Sequence, residues 1–525
     1  MDHASEHWQI RKPAVTGRGG MVASQHHLAS DIGAEVLRDG GNAVDAAVAT
    51  GLAIGTVEPW MSGIGGGGYM TVYIAAEDRT YVVEFGMRAP LGSIPDDYPI
   101  VGTETSEATF NWPRVKDDAN IHGGRSVAVP GYIKGVSLAL STFGTRDWAP
   151  TIEPACQLAE QGLPLDWYAR MMISGMARGL NRYNETRRIY LADGLPPGGT
   201  VDGSLKYLQL GELASTYRTL QEEGPKAYYS GSLAPRIAAD LAAAGSRINT
   251  RDLANYKARI ASPIVAQYRN ASVTVAGDLT AGPSLAQALG FLSEKLEPTG
   301  REPALDAFRA YADSLLDTYR YRLEKLGEGK PAQNDRVPTN TTHICTADRD
   351  GNMVSLTQTI MSGMGSQVML PATGILMNNG MMWFDPQPGS PNGVVGGRHP
   401  LCNMCPVIAH EANGNRFAVG ACGGRKIFPA VFQLISFLID YGMSVDEAVH
   451  QARIDVSGTD MVSLMDHMSP GIISAFVSHY DTVRVRPNGV SPMLFGLPQI
   501  IARAADGTMA GGSFVPSPNA KVSAV

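Results

Sequence analysis

Asn340-Thr341-Thr342-His343 is the stretch of this chain whose residue types can do chemistry. A threonine hydroxyl is a poor nucleophile at its free pKa and needs a base beside it. A threonine that begins a chain carries that base itself, because its α-amino group titrates near ~8 and reaches its own Oγ. Thr341 lies well inside the chain, so it gains such an amine only if the 340–341 bond is cut. The expectation is that this bond is cut and that Thr341 then becomes the nucleophile of an enzyme. On spacing alone, threonines of this kind are ordinary strand residues.

The elements that must position Thr341 can be read around it. Residues 327–340 are rich in Gly, Pro, Asn and charge, with no apolar period, and read as an exposed loop. From Thr342 to Ala347 the pattern alternates as a strand does. Asp348-Arg349-Asp350-Gly351-Asn352 reads as a hairpin turn, and Met353 to Ile360 as the return strand. A three-residue loop with Gly351 left-handed sets Thr341 opposite Thr359; a two-residue loop would pair Thr342 with Thr359 instead. The first register is preferred because paired residues share a sheet face, so a second hydroxyl then stands beside the nucleophile.

Further along the chain, ordered motifs gather. Gly20-Gly-Met-Val-Ala-Ser24, Gly40-Gly-Asn-Ala-Val-Asp-Ala-Ala47, Val57-Glu-Pro59 and Ser62-Gly-Ile-Gly-Gly-Gly-Gly68 come first. Val129-Pro-Gly131, Tyr229-Ser-Gly231 and Asp252-Leu-Ala-Asn-Tyr256 follow. Thr341-Thr342-His343, Asp350-Gly-Asn352, Pro400-Leu401, Met404, Pro406 and Gly423-Gly424 close the series. With these motifs the chain resembles the γ-glutamyltransferase family of N-terminal nucleophile hydrolases over most of its length. The resemblance implies an α/β fold, a four-layer αββα sandwich, made as one chain that cuts itself before the threonine. The pieces would be 1–340 and 341–525, one intertwined unit. It further implies Thr341 as nucleophile, Thr359 as the threonine that hydrogen-bonds it, and Gly423 and Gly424 as the pair whose N–H groups form an oxyanion hole. Asn340 would supply the carbonyl attacked in processing.

The chain departs from the family pattern where the family grips its γ-glutamyl group. Met361 stands where the family has an asparagine. In Asn378-Asn-Gly380-Met-Met-Trp383-Phe384, Gly380 replaces a glutamine and Trp383 the aspartate that holds the substrate amine. Cys402-Asn403 replaces a serine pair that binds the α-carboxylate. The family's arginine after Asp-Phe is displaced to Arg88, and Arg425 follows the glycine pair where serine is usual. A site whose polar partners are mismatched loses about 10⁴-fold in discrimination. With Met361, Met364, Met381, Met382 and Trp383 on the wall, the reading is an amidase for a small or apolar acyl group. Three rivals stand beside it: a γ-glutamyl enzyme with a clamp rebuilt from Arg88, Arg425 and Asn403; an uncleaved binding homologue; and a hydrolase of a dicarboxylic monoamide held by Arg88.

Composition bounds the rest. The 525 residues are 44% hydrophobic and 18% charged, with net charge −7 and no basic cluster, which argues against nucleic acid as a partner. No apolar run reaches the ~18 residues of a membrane span. The polar start Met1-Asp-His-Ala-Ser-Glu-His-Trp8 is not a signal peptide, so a cytoplasmic location is expected. The odd set of five cysteines fits reduced thiols. No cofactor and no metal are expected: Cys402-Asn-Met-Cys405 lacks a second pair or a neighbouring histidine pair, and the glycine run 65–68 lacks the lysine of a phosphate loop. Expected partners are a small-molecule amide and the two pieces of the precursor, with a homo-oligomer left open. His26, His27 and His343 are assigned structural roles. Helices are expected at 28–38, 42–54, 304–325 and 428–441, a hairpin at 69–85, and mostly helix across 150–260.

Overall fold

The structure, a computed structural model, describes residues 10–106, 110–200, 202–327, 340–458, 461–491 and 493–525. Two seven-stranded sheets face each other. One contains, from edge to edge, the strands Lys521–Ala524, Gly20–Ser24, Asn340–Asp348, Met353–Met361, Gly67–Ile74, Arg79–Phe85 and Arg259–Ala261. The other contains Val15–Gly17, Met509–Ser513, Leu497–Arg503, Arg416–Cys422, Val407–Glu411, Ala271–Val275 and Ile264–Tyr268. The helices His27–Arg38, Ala43–Val57 and Tyr132–Phe143 cover the outer face of the first sheet. Gly282–Lys295, Ile427–Ile439 and Val445–His450 cover the second, and Leu305–Lys325 packs on the first of these. The result is the four-layer αββα sandwich.

Local sequence explains these elements. Asn42 caps its helix by accepting from the Val44 and Asp45 N–H groups, while Asp45 returns the bond to the Asn42 N–H. Every residue from Ala43 to Val57 is buried, which the run of alanine and glycine permits between a sheet and neighbouring helices. Ile427–Ile439 is apolar on nearly every side and is likewise buried. The turn after Asp348 has Gly351 left-handed, at φ 92°, as the three-residue loop requires. The expected helices and hairpin are all present within a few residues of their predicted ends. Residues 163–164 and 207–208 add a short strand pair to the helical region between 148 and 255.

One expectation is corrected. Asn340 is not loop: it begins the strand and is buried, 8% exposed. Its main chain is needed in the sheet, where it pairs with Met361. The rest of that predicted loop, 328–339, lies outside the described residues. Among the described residues no helix is long and apolar enough to cross a membrane.

Candidate active site

The strand Asn340–Asp348 lies between Gly20–Ser24 and the return strand Met353–Met361, so its side chains alternate between two buried faces. Thr342, Ile344 and Thr346 face the helix layer: the Thr346 Oγ donates to the Ala43 carbonyl, and the Thr342 and Ser62 hydroxyls are 2.8 Å apart. His343 and Cys345 face the second sheet. The Cys345 thiol donates to the Ala418 carbonyl, and the His343 ring occupies the space a Cβ on Gly420 would need, at 2.1 Å. Cys422, directly before Gly423-Gly424, ends the strand Arg416–Cys422 that carries Ala418 and Gly420. Gln25 ties the two strands together: it accepts from the His343 N–H at 2.8 Å, and its amide donates to the Cys422 sulfur at 3.2 Å.

At Thr341 the ladder slips. Thr342 pairs with Gln358 but Asn340 pairs with Met361, so Thr359 and Ile360 together oppose Thr341. Such a bulge re-aims side chains. Here it sets three oxygens in a row. The Thr341 hydroxyl points its proton at the Thr359 Oγ, 3.4 Å away. The Thr359 hydroxyl donates to the Asn340 carbonyl oxygen at 2.5 Å. The Met361 N–H donates to the Thr359 Oγ at 2.8 Å and fixes its position. The cost falls on Met361, whose backbone is left-handed at φ 83°, a conformation non-glycine residues hold only when the surroundings enforce it. The Asn340 amide donates to the Trp60 carbonyl.

The glycine pair needs its residue type. Gly423 and Gly424 have φ 128° and 58°, both in the region that side chains disfavour. The turn's own hydrogen bond runs from the Lys426 N–H to the Gly423 carbonyl at 3.2 Å, which leaves the N–H groups of Gly423 and Gly424 outside it.

The remaining predicted residues divide. Met361, Trp383 and Cys402 share one buried apolar cluster with Met381, Met382, Met404, Phe110 and Trp112. Met364 belongs to the main core instead. Gly380 opens the short turn Gly380–Trp383, where a Cβ would strike Ala128 at 2.9 Å and Met87 at 3.1 Å. Arg425 is buried, with its guanidinium 4.8 Å from the Phe110 ring centre, so it borders that cluster. Asn403 accepts from the guanidinium of Arg322, which is fully buried and also bonds the carbonyls of Cys402 and Thr280 and the Ser284 hydroxyl. Arg88 donates to the Lys257 carbonyl, and its guanidinium rests over Tyr256.

Several supporting residues carried no signal in spacing. Asn378 donates to the Gly65 and Ala128 carbonyls, and Asn379 accepts from the Ser362 N–H, so this amide pair staples the wall to the glycine run. Arg322, Gln25 and Trp112 act across more than seventy residues of sequence. His343 is fully buried, and burial lowers its pKa to about 3, so it is neutral. Its ring bonds Thr357 at 2.9 Å, not Thr341. His26 caps the helix His27–Arg38. The five cysteines are buried, and burial pushes the Cys405 and Cys422 thiols up to about 12. Among the described residues no cluster of His, Cys, Asp or Glu has the arrangement of a metal site.

Known proteins resemble the whole chain. The model of the gamma-glutamyltranspeptidase family matches residues 29–327 and 317–515. The glutathione hydrolase proenzyme of Bacillus subtilis is 30% identical, over 88% of this chain and 85% of its own. The acylase ACY 1 proenzyme of a Pseudomonas species is 32% identical, over 96% and 93%. The crystal structure of cephalosporin acylase from Bacillus halodurans superposes with a TM-score of 0.84 at 23% identity, over 100% of this chain and 99% of that one.

Proposed function

Because the chain belongs to the gamma-glutamyltranspeptidase family, whose members cleave or transfer at amide bonds, we propose that it is a self-processing amidohydrolase with Thr341 as nucleophile, acting on a small or apolar acyl amide. The observation that carries this reading is the row of oxygens from Thr341 through Thr359 to the Asn340 carbonyl.

In processing, the Thr341 Oγ adds to the Asn340 carbonyl carbon. Its proton leaves toward Thr359, and the Thr359 hydroxyl meets the charge that grows on the carbonyl oxygen. Collapse breaks the C–N bond as that proton passes on to the departing nitrogen, leaving an ester on Thr341 Oγ and a free α-amine on Thr341. Water then hydrolyses the ester to the Asn340 carboxylate and restores the hydroxyl. In turnover the new amine takes the Oγ proton, Oγ adds to the substrate carbonyl, and the Gly423 and Gly424 N–H groups receive the oxyanion. The leaving amine takes the proton, and water or an acceptor amine resolves the acyl-enzyme.

The acyl group is read from the wall. Met361, Met381, Met382 and Trp383 offer no counter-charge to a substrate ammonium, and an unpaired buried charge costs about 3–5 kcal/mol. The relatives include both a glutathione hydrolase and an acylase, and the wall favours the acylase side. Arg88, held on Tyr256 and Lys257, supports neither the rebuilt clamp nor the dicarboxylic reading. Intact mass with N-terminal sequencing, followed by a panel of acyl amides against a γ-glutamyl anilide, tests the proposal. A whole 340–341 bond in active protein, or faster turnover of the glutamyl substrate, would refute it.

A further inference from the structure

Arg453 is a buried cation that the chemistry above does not use. It is 1% exposed, and its guanidinium lies 4.3 Å from the Phe514 ring centre. Its side-chain hydrogen bonds go to two main-chain carbonyls, Val449 and Gly496, each at 3.4 Å, and among the described residues it forms no ion pair. Burial alone lowers its pKa to about 9. A buried charge without a counter-charge is expensive, so something else must repay its presence.

The location of Gly496 says what. Its Cα sits 3.3 Å from where a Cβ on Gly423 would lie, and a Cβ on Gly496 itself would strike the Lys426 carbonyl at 2.8 Å and Ala430 at 2.9 Å. Gly496 is therefore wedged against both ends of the turn that carries Gly423 and Gly424. The main chain beside Arg453 is bolted to the helix leaving that turn: the Ile454 N–H donates to Gln433, whose amide donates to the Ile454 and Pro429 carbonyls. We propose that Arg453 is a positioning residue of the oxyanion turn, holding Gly496 as the backstop that keeps the Gly423 and Gly424 N–H groups aimed at the reacting oxygen. The inference rests on the assignment of that glycine pair as oxyanion donors.

Its signature is selective for the transition state, because the backstop touches no part of the ground-state substrate. The experiment compares Arg453→Met and Arg453→Lys with the parent for kcat, for KM, and for inhibition by an alkylboronic acid, which becomes a tetrahedral anion on the Thr341 oxygen. Arg453→Met should lose about tenfold in kcat and in boronate affinity, with KM within twofold. Arg453→Lys, which keeps a cation able to reach one carbonyl, should recover part of both. Unchanged kcat and boronate affinity in folded Arg453→Met, or a loss confined to KM, overturns the proposal. If Arg453→Met does not fold, Arg453→Lys is judged by the same criterion, and failure of both to fold assigns Arg453 to structure alone. Thr341→Ala separates the two levels: if that variant still hydrolyses amides, the reading of the site has failed, whereas an active parent with indifferent Arg453 variants sinks only this inference.

Discussion

Thr359 and Met361 stand two residues apart on one strand, and the regions they belong to differ in kind. Around Thr359 the protein is dense with polar geometry: a hydroxyl row, a fixing N–H and a bulge that aims them. Around Met361, Met381, Met382 and Trp383 it is apolar packing, with thioethers as the soft acceptors from Ser362 and Asn379. The first region is held by directional bonds, which fail when an atom moves by a few tenths of an ångström. The second is held by volume, which tolerates exchange of shape. The two regions meet at Met361, whose N–H fixes the Thr359 Oγ while its side chain joins the apolar cluster.

That contrast can be broken at its strong end first. Thr341→Ala should lower amide hydrolysis by on the order of 10⁴-fold or more and leave a single full-length band on denaturing electrophoresis. Thr359→Val, which keeps the shape and removes the hydroxyl, should slow both processing and hydrolysis by about 10²–10³-fold, with Thr359→Ser keeping most of each. At the apolar end the effects shrink and change character. Met382→Ala should leave processing intact, cost about 2–4 kcal/mol in a denaturant titration, and shift relative kcat/KM toward bulkier acyl groups by about tenfold. A loss of processing in that variant would join the two regions that the comparison separates.

The gentlest test uses pH. His343 has a folded pKa of about 3 and an unfolded value near ~6.5, so the unfolded chain binds its proton first. The stability it contributes is therefore whole above ~6.5 and is lost as pH falls from there toward 3, by up to about 1.4 kcal/mol per unit. His343→Gln should flatten the fall of urea midpoint between pH 7 and 5. An equal slope would show that the acid sensitivity originates elsewhere.

Much of the scaffold was legible because it is local. Gly351 in a three-residue loop set the register from Thr342 to Ala347, and Asn42 and the apolar run after Phe428 marked helices that are present. The register rule also set Thr341 near Thr359, but it assumed a regular ladder. The slip falls where the Asn340 side-chain amide bonds the distant Trp60 carbonyl and Asn340 pairs with Met361, partners that the local alternation does not encode. The same holds for Arg322 and Arg453. Each reads in sequence as a charged residue of ordinary kind, and only the fold shows it buried against carbonyls of distant segments. The loop predicted through Asn340 failed at its last residue for a related reason: polarity marked a turn, whereas the sheet required the main chain.

The order of strands in the first sheet has a consequence for the life of the molecule. Gly20–Ser24 lies between two strands from beyond residue 340, and Met353–Met361 pairs with Gly67–Ile74 from before it. A break at 340–341 would therefore release no part, yet it would turn refolding from an event within one chain into an encounter between two. Dilution would then oppose recovery after denaturation, and endurance would depend on how slowly the cut molecule comes apart.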